Sequence, residues 1–203
     1  MTFCPYQGIL TRRYINSLYK EIFRKSIHLC TAFIPLLLHH FYWPIVILLL
    51  LAATGFSLSE ILRLKGIEIP LVAGITEVAA RKRDEGRFVL GPVTLVLGIV
   101  ASSLLCNETG YTVGILSLAF GDGLASLCGK LFGRVYIPFT EGKTAAGSLS
   151  CFFAIFCCSF AVTKSVFKSL VIALCGMIIE VFPLKDFDNL LIPVILGFVA
   201  QYL

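Results

Sequence analysis

Phe120-Gly-Asp-Gly-Leu-Ala-Ser-Leu-Cys-Gly-Lys-Leu-Phe-Gly-Arg134, followed by Glu141-Gly-Lys-Thr-Ala-Ala-Gly-Ser148, decides how the rest of the chain is read. In the first stretch Gly121, Ala125, Gly129 and Gly133 recur every four residues. On a helix they form one smooth stripe along which a neighbouring backbone can approach. Asp122 sits beside that stripe at the end of an apolar run, where a carboxylate is costly unless it meets a cation or a metal. In the second stretch Gly142-Lys143-Thr144 opens the next apolar segment, which predicts an ammonium and free backbone amides at a positive helix N-terminus.

Outward from these two stretches the chain is apolar. Of 203 residues, 58% are hydrophobic and 14% charged, and the mean hydropathy is +0.91. Those values exclude an ordinary soluble domain and predict an all-α, polytopic membrane protein. Seven transmembrane helices are expected, at about 23–38, 44–59, 89–105, 111–131, 143–162, 166–182 and 190–203. Residues 1–21 read as a basic cytoplasmic arm, and 22–203 as a single membrane domain. Residues 67–80 are expected to form an amphipathic helix on the membrane surface. His39 to Trp43 should make an aromatic turn at the far interface, and Asn107-Glu-Thr-Gly110 a tight turn. No cleavable leader stands out.

Charge orients the helices. A cytoplasmic N-terminus puts fifteen of the seventeen Lys and Arg residues on the cytoplasmic side, all but Lys164 and Lys168. The net charge of +5 is therefore a matter of orientation rather than of nucleic-acid binding. The eight cysteines are scattered through apolar runs without a Cys-x-x-Cys pair and read as small packing residues. The same topology gathers Arg24, Lys25, His28, Glu60, Arg63, Asp122, Lys143, Glu180, Asp188 and Asn189 near the cytoplasmic interface. A transporter would more often keep such groups near the midplane, in paired broken helices of two repeats, and no such repeat is present.

The polar residues suggest a chemistry, each beside a plainer role. Asp122 between glycines suits a hard-oxygen ligand for Mg2+ shared with substrate phosphates; the alternative is a helix cap. Gly142-Lys143-Thr144 is not a P-loop, because position 137 is Ile where the motif needs Gly. A lysine at a helix start still suits a polyphosphate, as it would suit topology alone. Arg24 and His28 share a helix face, and His28 or Glu60 could take a proton from a hydroxyl. Glu180 and Asp188 could complete a metal shell with Asp122. The Arg81-Lys-Arg-Asp-Glu-Gly-Arg87 cluster could steer anions.

Arg24-Lys25-x-x-His28, Ser59-Glu60, Gly121-Asp122-Gly123-x-Ala125-Ser126-x-x-Gly129-x-x-x-Gly133, Gly142-Lys143-Thr144-x-x-Gly147-Ser148, and Glu180 followed by Asp188-Asn189-x-x-Ile192-Pro193 together resemble the CTP-dependent polyprenol kinases. That family includes dolichol kinase, phytol kinase and CTP-dependent diacylglycerol kinase. The resemblance runs in order from about residue 21 to 195. It implies transfer of a γ-phosphate from CTP or another nucleoside triphosphate to a membrane lipid alcohol, with Mg2+. The expected catalytic residues are Asp122, Lys143, His28 and Glu60, and the metal ligands Asp122, Asp188 and Glu180. The nucleotide is expected on Gly121, Gly123, Ser126, Lys130, Gly142, Lys143, Thr144, Gly147, Ser148, Arg24, Lys25 and Asn189.

This chain departs from the family pattern at three points. Thr144 stands where serine is common, Ala146 where an acid is often found, and Phe187 interrupts the usual acidic pair. The expected partners are a lipid alcohol, a nucleoside triphosphate and the bilayer, with no nucleic acid; nothing bears on oligomeric state. The small size points to a bacterial inner membrane. Rival readings are a phosphatidate cytidylyltransferase, whose C-terminal signature rich in Lys, Asp and Gly-His is absent, and a small transporter without catalysis.

Overall fold

Long runs of Leu, Ile, Val and Phe broken by short polar connections give helices. The computed structural model describes residues 5–67, 86–138, 140 and 142–203, with side chains from Ile15 onward. Among the described residues every element is helical apart from one isolated β-bridge. Apart from Ile67, the amphipathic helix expected at 67–80 and most of the basic cluster after it lie outside the described residues.

Helix α1 covers Pro5–Cys30, so most of the expected arm is continuous with the first apolar segment. A 3-10 turn, Thr31–Phe33, leads into α2, Ile34–Leu64. The aromatic turn expected at His39 to Trp43 is present as a break between two helical arms of this run: Phe41 leaves helical geometry, at φ −138° and ψ 58°. Pro44 accounts for it, because a proline lacks the N–H and its ring collides with the carbonyl four residues back. At that end His39 meets Glu108 and Tyr42 the Ser103 carbonyl; the arms lead back to Lys25 beside Asp122 and Glu60 beside Val89 at the other.

Helix α3 spans Gly91–Leu105 with Pro92 in its first turn. Asn107-Glu-Thr-Gly110 begins a helix instead of forming a free turn. The Asn107 side chain accepts the Gly110 N–H at 2.8 Å and caps α4, Glu108–Leu116. A π-helical turn, Ser117–Asp122, joins α4 to α5, Gly123–Phe132. Thr144 and Ser165 cap α6, Ala145–Thr163, and α7, Val166–Val181; α8 is Asp188–Tyr202.

Among the described residues three runs are long and apolar enough to cross a membrane: Ile15–Leu64, Glu108–Phe132 and Ala145–Thr163. The first, at 50 residues, would reach roughly 75 Å if straight, against about 30 Å of hydrocarbon. Gly91–Leu105 and Asp188–Tyr202 are shorter apolar helices. Large apolar side chains such as Leu36, Leu48, Leu51, Phe153 and Phe167 are exposed, as they would be toward lipid tails.

Between apolar helices in a bilayer, attraction comes from close packing and hydrogen bonds rather than from expelled water. Helix α8 packs on α3, α4 and α7 in that manner. A Cβ at Gly114 would lie 2.1 Å from the Pro193 carbonyl oxygen, and one at Gly98 would lie 2.2 Å from that of Asn189. Ser102 adds a hydroxyl bond to the Pro193 carbonyl at 3.0 Å. Val113, Ile115, Leu118, Ile155, Ile172 and Leu196 fill the centre with no exposed area.

The small-residue stripe has two partners. A Cβ at Gly133 would come within 2.6 Å of Thr144 Cγ2, so the end of α5 rests on the start of α6. Gly121, one helix segment earlier, faces Ile155 instead. Because the contact lies at the helix ends, the connection 133–144 is pushed to one end of the bundle, where a cavity opens.

Candidate active site

The cavity has a volume of about 460 Å3 and is lined by residues of α1, the π turn, α5, the 133–144 connection, the start of α6 and the α7–α8 loop. Four lysines, 25, 130, 143 and 185, and three acids, Asp122, Glu180 and Asp188, lie on its wall. Residues as far apart as 25 and 188 converge there, and a mixture of cations and carboxylates at the end of an apolar bundle is costly unless each is compensated.

Asp122 ends the π turn and is 6% exposed; Lys25 is 1% exposed. Asp122 Oδ2 accepts from Lys25 Nζ and lies 3.3 Å from His28 Nδ1. Lys25 and His28, three apart on α1, reach the carboxylate from one helix face. A second pair closes the opposite wall, where Lys143 Nζ donates to Glu180 Oε1 at 2.5 Å. The other oxygen, Glu180 Oε2, is buried with no hydrogen-bond partner among the described residues.

A third group joins α1 to α5. Glu21 accepts from Arg24 at 2.5 Å and from the Ser126 hydroxyl. Lys130 Nζ stands 3.6 Å from Glu21 Oε2 and donates to the Ser17 carbonyl at 2.8 Å. Ser126 and Lys130 thus face the cavity while tying it to the first helix.

The connection from α5 to α6 doubles back as a small hairpin. Tyr136 pairs with Thr144, the Ile137 N–H donates to the Lys143 carbonyl at 2.9 Å, and the Ala145 N–H to that of Val135 at 2.9 Å. Gly142, at φ +96°, allows a backbone that other residues rarely adopt. The free amides expected at the start of α6 are partly consumed by the chain: Ala145 donates to Val135, and Gly147 to the Thr144 hydroxyl at 3.2 Å. What faces the cavity there is the Lys143 side chain with the positive end of α6 behind it. Tyr136, 66% exposed, forms part of the wall.

Of the residues expected in the site, Lys25, Asp122, Ser126, Lys130, Gly142, Lys143, Thr144, Gly147, Glu180 and Asp188 line this cavity. Others are held elsewhere. Gly121 packs on Ile155 and Gly123 on Leu29, and Ser148 is buried off the cavity wall. Arg24 serves Glu21. Asn189 Nδ2 donates to the Gly91 carbonyl at 3.3 Å and to Thr94 Oγ1 at 3.4 Å, fastening α8 to α3. Glu60 is fully buried, with Arg63 at 2.6 and 3.0 Å and the Val89 N–H at 3.0 Å on its oxygens. It anchors the chain entering α3, away from the cavity. His28 is not on the cavity wall and stands behind it, beside Asp122. Tyr136, Thr140 and Lys185 line the cavity without having been expected there.

A triple-carboxylate metal shell is not assembled. Among the described residues no group of three or more His, Cys, Asp or Glu could hold a metal, and the Asp122 carboxylate is already engaged by Lys25. Mg2+ asks for less, one or two carboxylates completed by phosphate and water oxygens. Glu180 Oε2, buried and unpartnered, and Asp188 on the same wall fit that requirement.

Known proteins bear on the family. The chain is 32% identical over 149 residues to "Probable phytol kinase 1, chloroplastic" of Glycine max, covering 70% of this chain and 47% of that one. This chain is a homologue of the plant phytol kinases. Phytol kinase 1, chloroplastic, of Arabidopsis thaliana is 29% identical over 161 residues, covering 70% of this chain and 47% of its own length. The probable phytol kinase, chloroplastic, of Zea mays is 27% identical over 169 residues, covering 73% and 55%. The chain spans about half the length of these phytol kinases. The resemblance read in the sequence is borne out at the level of the family. No protein-family model matches the chain, and no solved structure matches it significantly.

Proposed function

We propose that this protein is a membrane lipid-alcohol kinase that transfers the γ-phosphate of a nucleoside triphosphate, CTP in the first instance, to the hydroxyl of phytol or a related prenyl alcohol. The observation that carries the reading is the sharing of one cavity by the Lys25–Asp122 and Lys143–Glu180 pairs. Lysines that can release a carboxylate to take a phosphate, beside acids that can take a metal, suit a Mg-polyphosphate. Relatives named phytol kinases support the acceptor class.

Lys143, backed by the N-terminus of α6, bears on the phosphate chain. Glu180 and Asp188 would hold Mg2+, which when bound neutralises charge on the phosphate oxygens and favours phosphoryl transfer. Asp122, positioned by Lys25 and His28, accepts the hydrogen bond of the acceptor hydroxyl and orients it in line with the γ-phosphate. Positioning and charge neutralisation supply most of the rate in such transfers. Tyr136, exposed on the wall, offers an aromatic face to the nucleobase. Seven crossings with a cytoplasmic N-terminus put this cavity at the cytoplasmic surface, where the basic residues gather. The relatives' names are chloroplastic, and the bacterial inner membrane expected from the chain's size has no support in them.

The experiment is purified protein in nanodiscs with labelled CTP and ATP against phytol, longer polyprenols and diacylglycerol. Labelled lipid phosphate with CDP or ADP release is expected. Pyrophosphate release would point to a cytidylyltransferase, and no turnover of any nucleotide with any alcohol would overturn the proposal.

A further inference from the structure

Three of the four lysines on the cavity wall are neutralised by the protein itself. Lys25 is paired with Asp122 and Lys143 with Glu180, while Lys130 stands beside Glu21 and the Ser17 carbonyl. Lys185 is different. It is exposed, lies on the same wall, and has no hydrogen-bond or ion-pair partner among the described residues.

Its backbone is also unusual. Lys185 has a φ of +57°, in the left-handed region that side chains with a Cβ avoid. It occupies the first corner of a turn closed by the Phe187 N–H on the Leu184 carbonyl at 3.1 Å, a corner that favours Gly, Asn or Asp at this φ. The other left-handed lysine, Lys164, has an ordinary cause, since it ends α6 as helix C-caps commonly do. Lys185 ends no helix: α7 stops at Val181, and its cap, Phe182, is extended. The turn is anchored on both sides, by the Leu184 N–H on Phe182 at 2.9 Å and the Leu191 N–H on Phe187 at 2.9 Å. Lys185 therefore lies in a fixed turn between Glu180 and Asp188. A lysine kept only to orient the membrane helices would need neither this backbone nor this wall. Strained residues of this sort gather at ligand sites, where the surrounding structure holds them.

We infer that Lys185 is a phosphate-anchoring residue, presented by a left-handed turn so that its uncompensated ammonium meets the polyphosphate of the nucleotide at the cavity mouth. The inference rests on the nucleotide reading above and adds to it the group that captures the anion. The three paired lysines must each give up a partner to bind phosphate, whereas Lys185 gives up only water.

Lys185→Gly tests this cleanly, because glycine keeps the backbone without penalty while the amine is lost. The variant is expected to have a thermal midpoint at or above that of the parent, with nucleotide KM raised about tenfold and kcat changed much less. Lys185→Arg, which restores the charge, is expected to recover most of the affinity. Equilibrium binding of CTP and of ATP to the same purified proteins should show the same order. A KM in Lys185→Gly within twofold of the parent overturns the inference and leaves the kinase reading standing. So does an arginine variant as impaired as the glycine one. Weaker inhibition by the phosphorylated lipid, with nucleotide KM unchanged, would assign the lysine to the product and likewise overturn it. A parent protein that binds no nucleotide overturns the kinase reading and this inference together.

Discussion

Replacing Asp122 with Asn, alone and together with Lys25→Met, separates what the buried pair does for the fold from what it does for chemistry. Lys25 is 1% and Asp122 6% exposed, so neither charge is shared with bulk water. Two unit charges about 3 Å apart attract by roughly 5 kcal/mol at an effective dielectric near 20. Removing one member of a buried pair typically costs about 3–5 kcal/mol, because the other charge remains desolvated. Asp122→Asn is accordingly expected to destabilise the protein by about 3–5 kcal/mol. Lys25→Met should cost less, since His28 Nδ1 still stands 3.3 Å from the carboxylate. The double variant removes both charges and is expected within about 2 kcal/mol of the parent, as apolar replacements of buried pairs often are. Reversible unfolding in mixed micelles measures all four corners of the cycle, and lipid phosphorylation by the same preparations measures function. Activity should be lost in the double variant although its stability returns. An Asp122→Asn protein within about 0.5 kcal/mol of the parent would refute the electrostatic argument, and a stable, active double variant would remove Asp122 from the site.

Other consequences can be measured independently. Glu180→Gln should raise the Mg2+ concentration for half-maximal activity about tenfold, and an unchanged Mg2+ titration would take Glu180 out of the metal's reach. Lys143→Met is expected to lower kcat/KM at least a hundredfold, about 2.7 kcal/mol of lost transition-state stabilisation; a loss under threefold would count against the polyphosphate site. Glu60→Gln should weaken the fold by about 1–3 kcal/mol through loss of charge-assisted bonds to Arg63 and the Val89 N–H, with kcat kept. A stable but inactive Glu60→Gln protein would return Glu60 to the chemistry. Tyr136→Phe should leave nucleotide KM near the parent value while Tyr136→Ala raises it several-fold; equal effects would argue against a ring-face contact.

The helical fold was largely legible because crossing lengths and apolar runs are local properties of the chain. Helices α3, α6 and α7 begin and end within about two residues of the positions read from hydropathy. The misreadings have physical causes. Asn107 to Gly110 has the composition of a turn and of an N-cap alike, since both need a short side chain bonding to nearby backbone N–H groups. His39 to Trp43, by contrast, was legible as a reversal, because Pro44 cannot continue the helix and Phe41 leaves helical geometry before it. In the site, Asp122 and Lys143 stood out because a charge next to an apolar helix demands an explanation. Glu60 and Asn189 stood out for the same reason, yet Glu60 is held by Arg63 and the Val89 N–H, and Asn189 by the Gly91 carbonyl and the Thr94 hydroxyl. Lys25 meeting Asp122, 97 residues away, has no local signature. Neither has Tyr136, which reaches the wall through a hairpin bridge, nor Lys185, whose backbone angle no composition rule announces.

The π turn at Ser117–Asp122 makes the rotational phase of everything after it depend on one wide turn. Each residue along a helix advances the side-chain direction by about 100°. Closing this turn to a regular helix with all its residues kept would advance everything after it by about one residue's rotation, swinging Asp122 away from Lys25 and carrying Gly129 and Gly133 off Thr144. Deleting a single residue between Ser117 and Phe120 should instead let the segment become a regular helix with the later side chains in nearly their present directions. The wide turn thus holds one residue more than a regular helix would need to bring the acid to its cation.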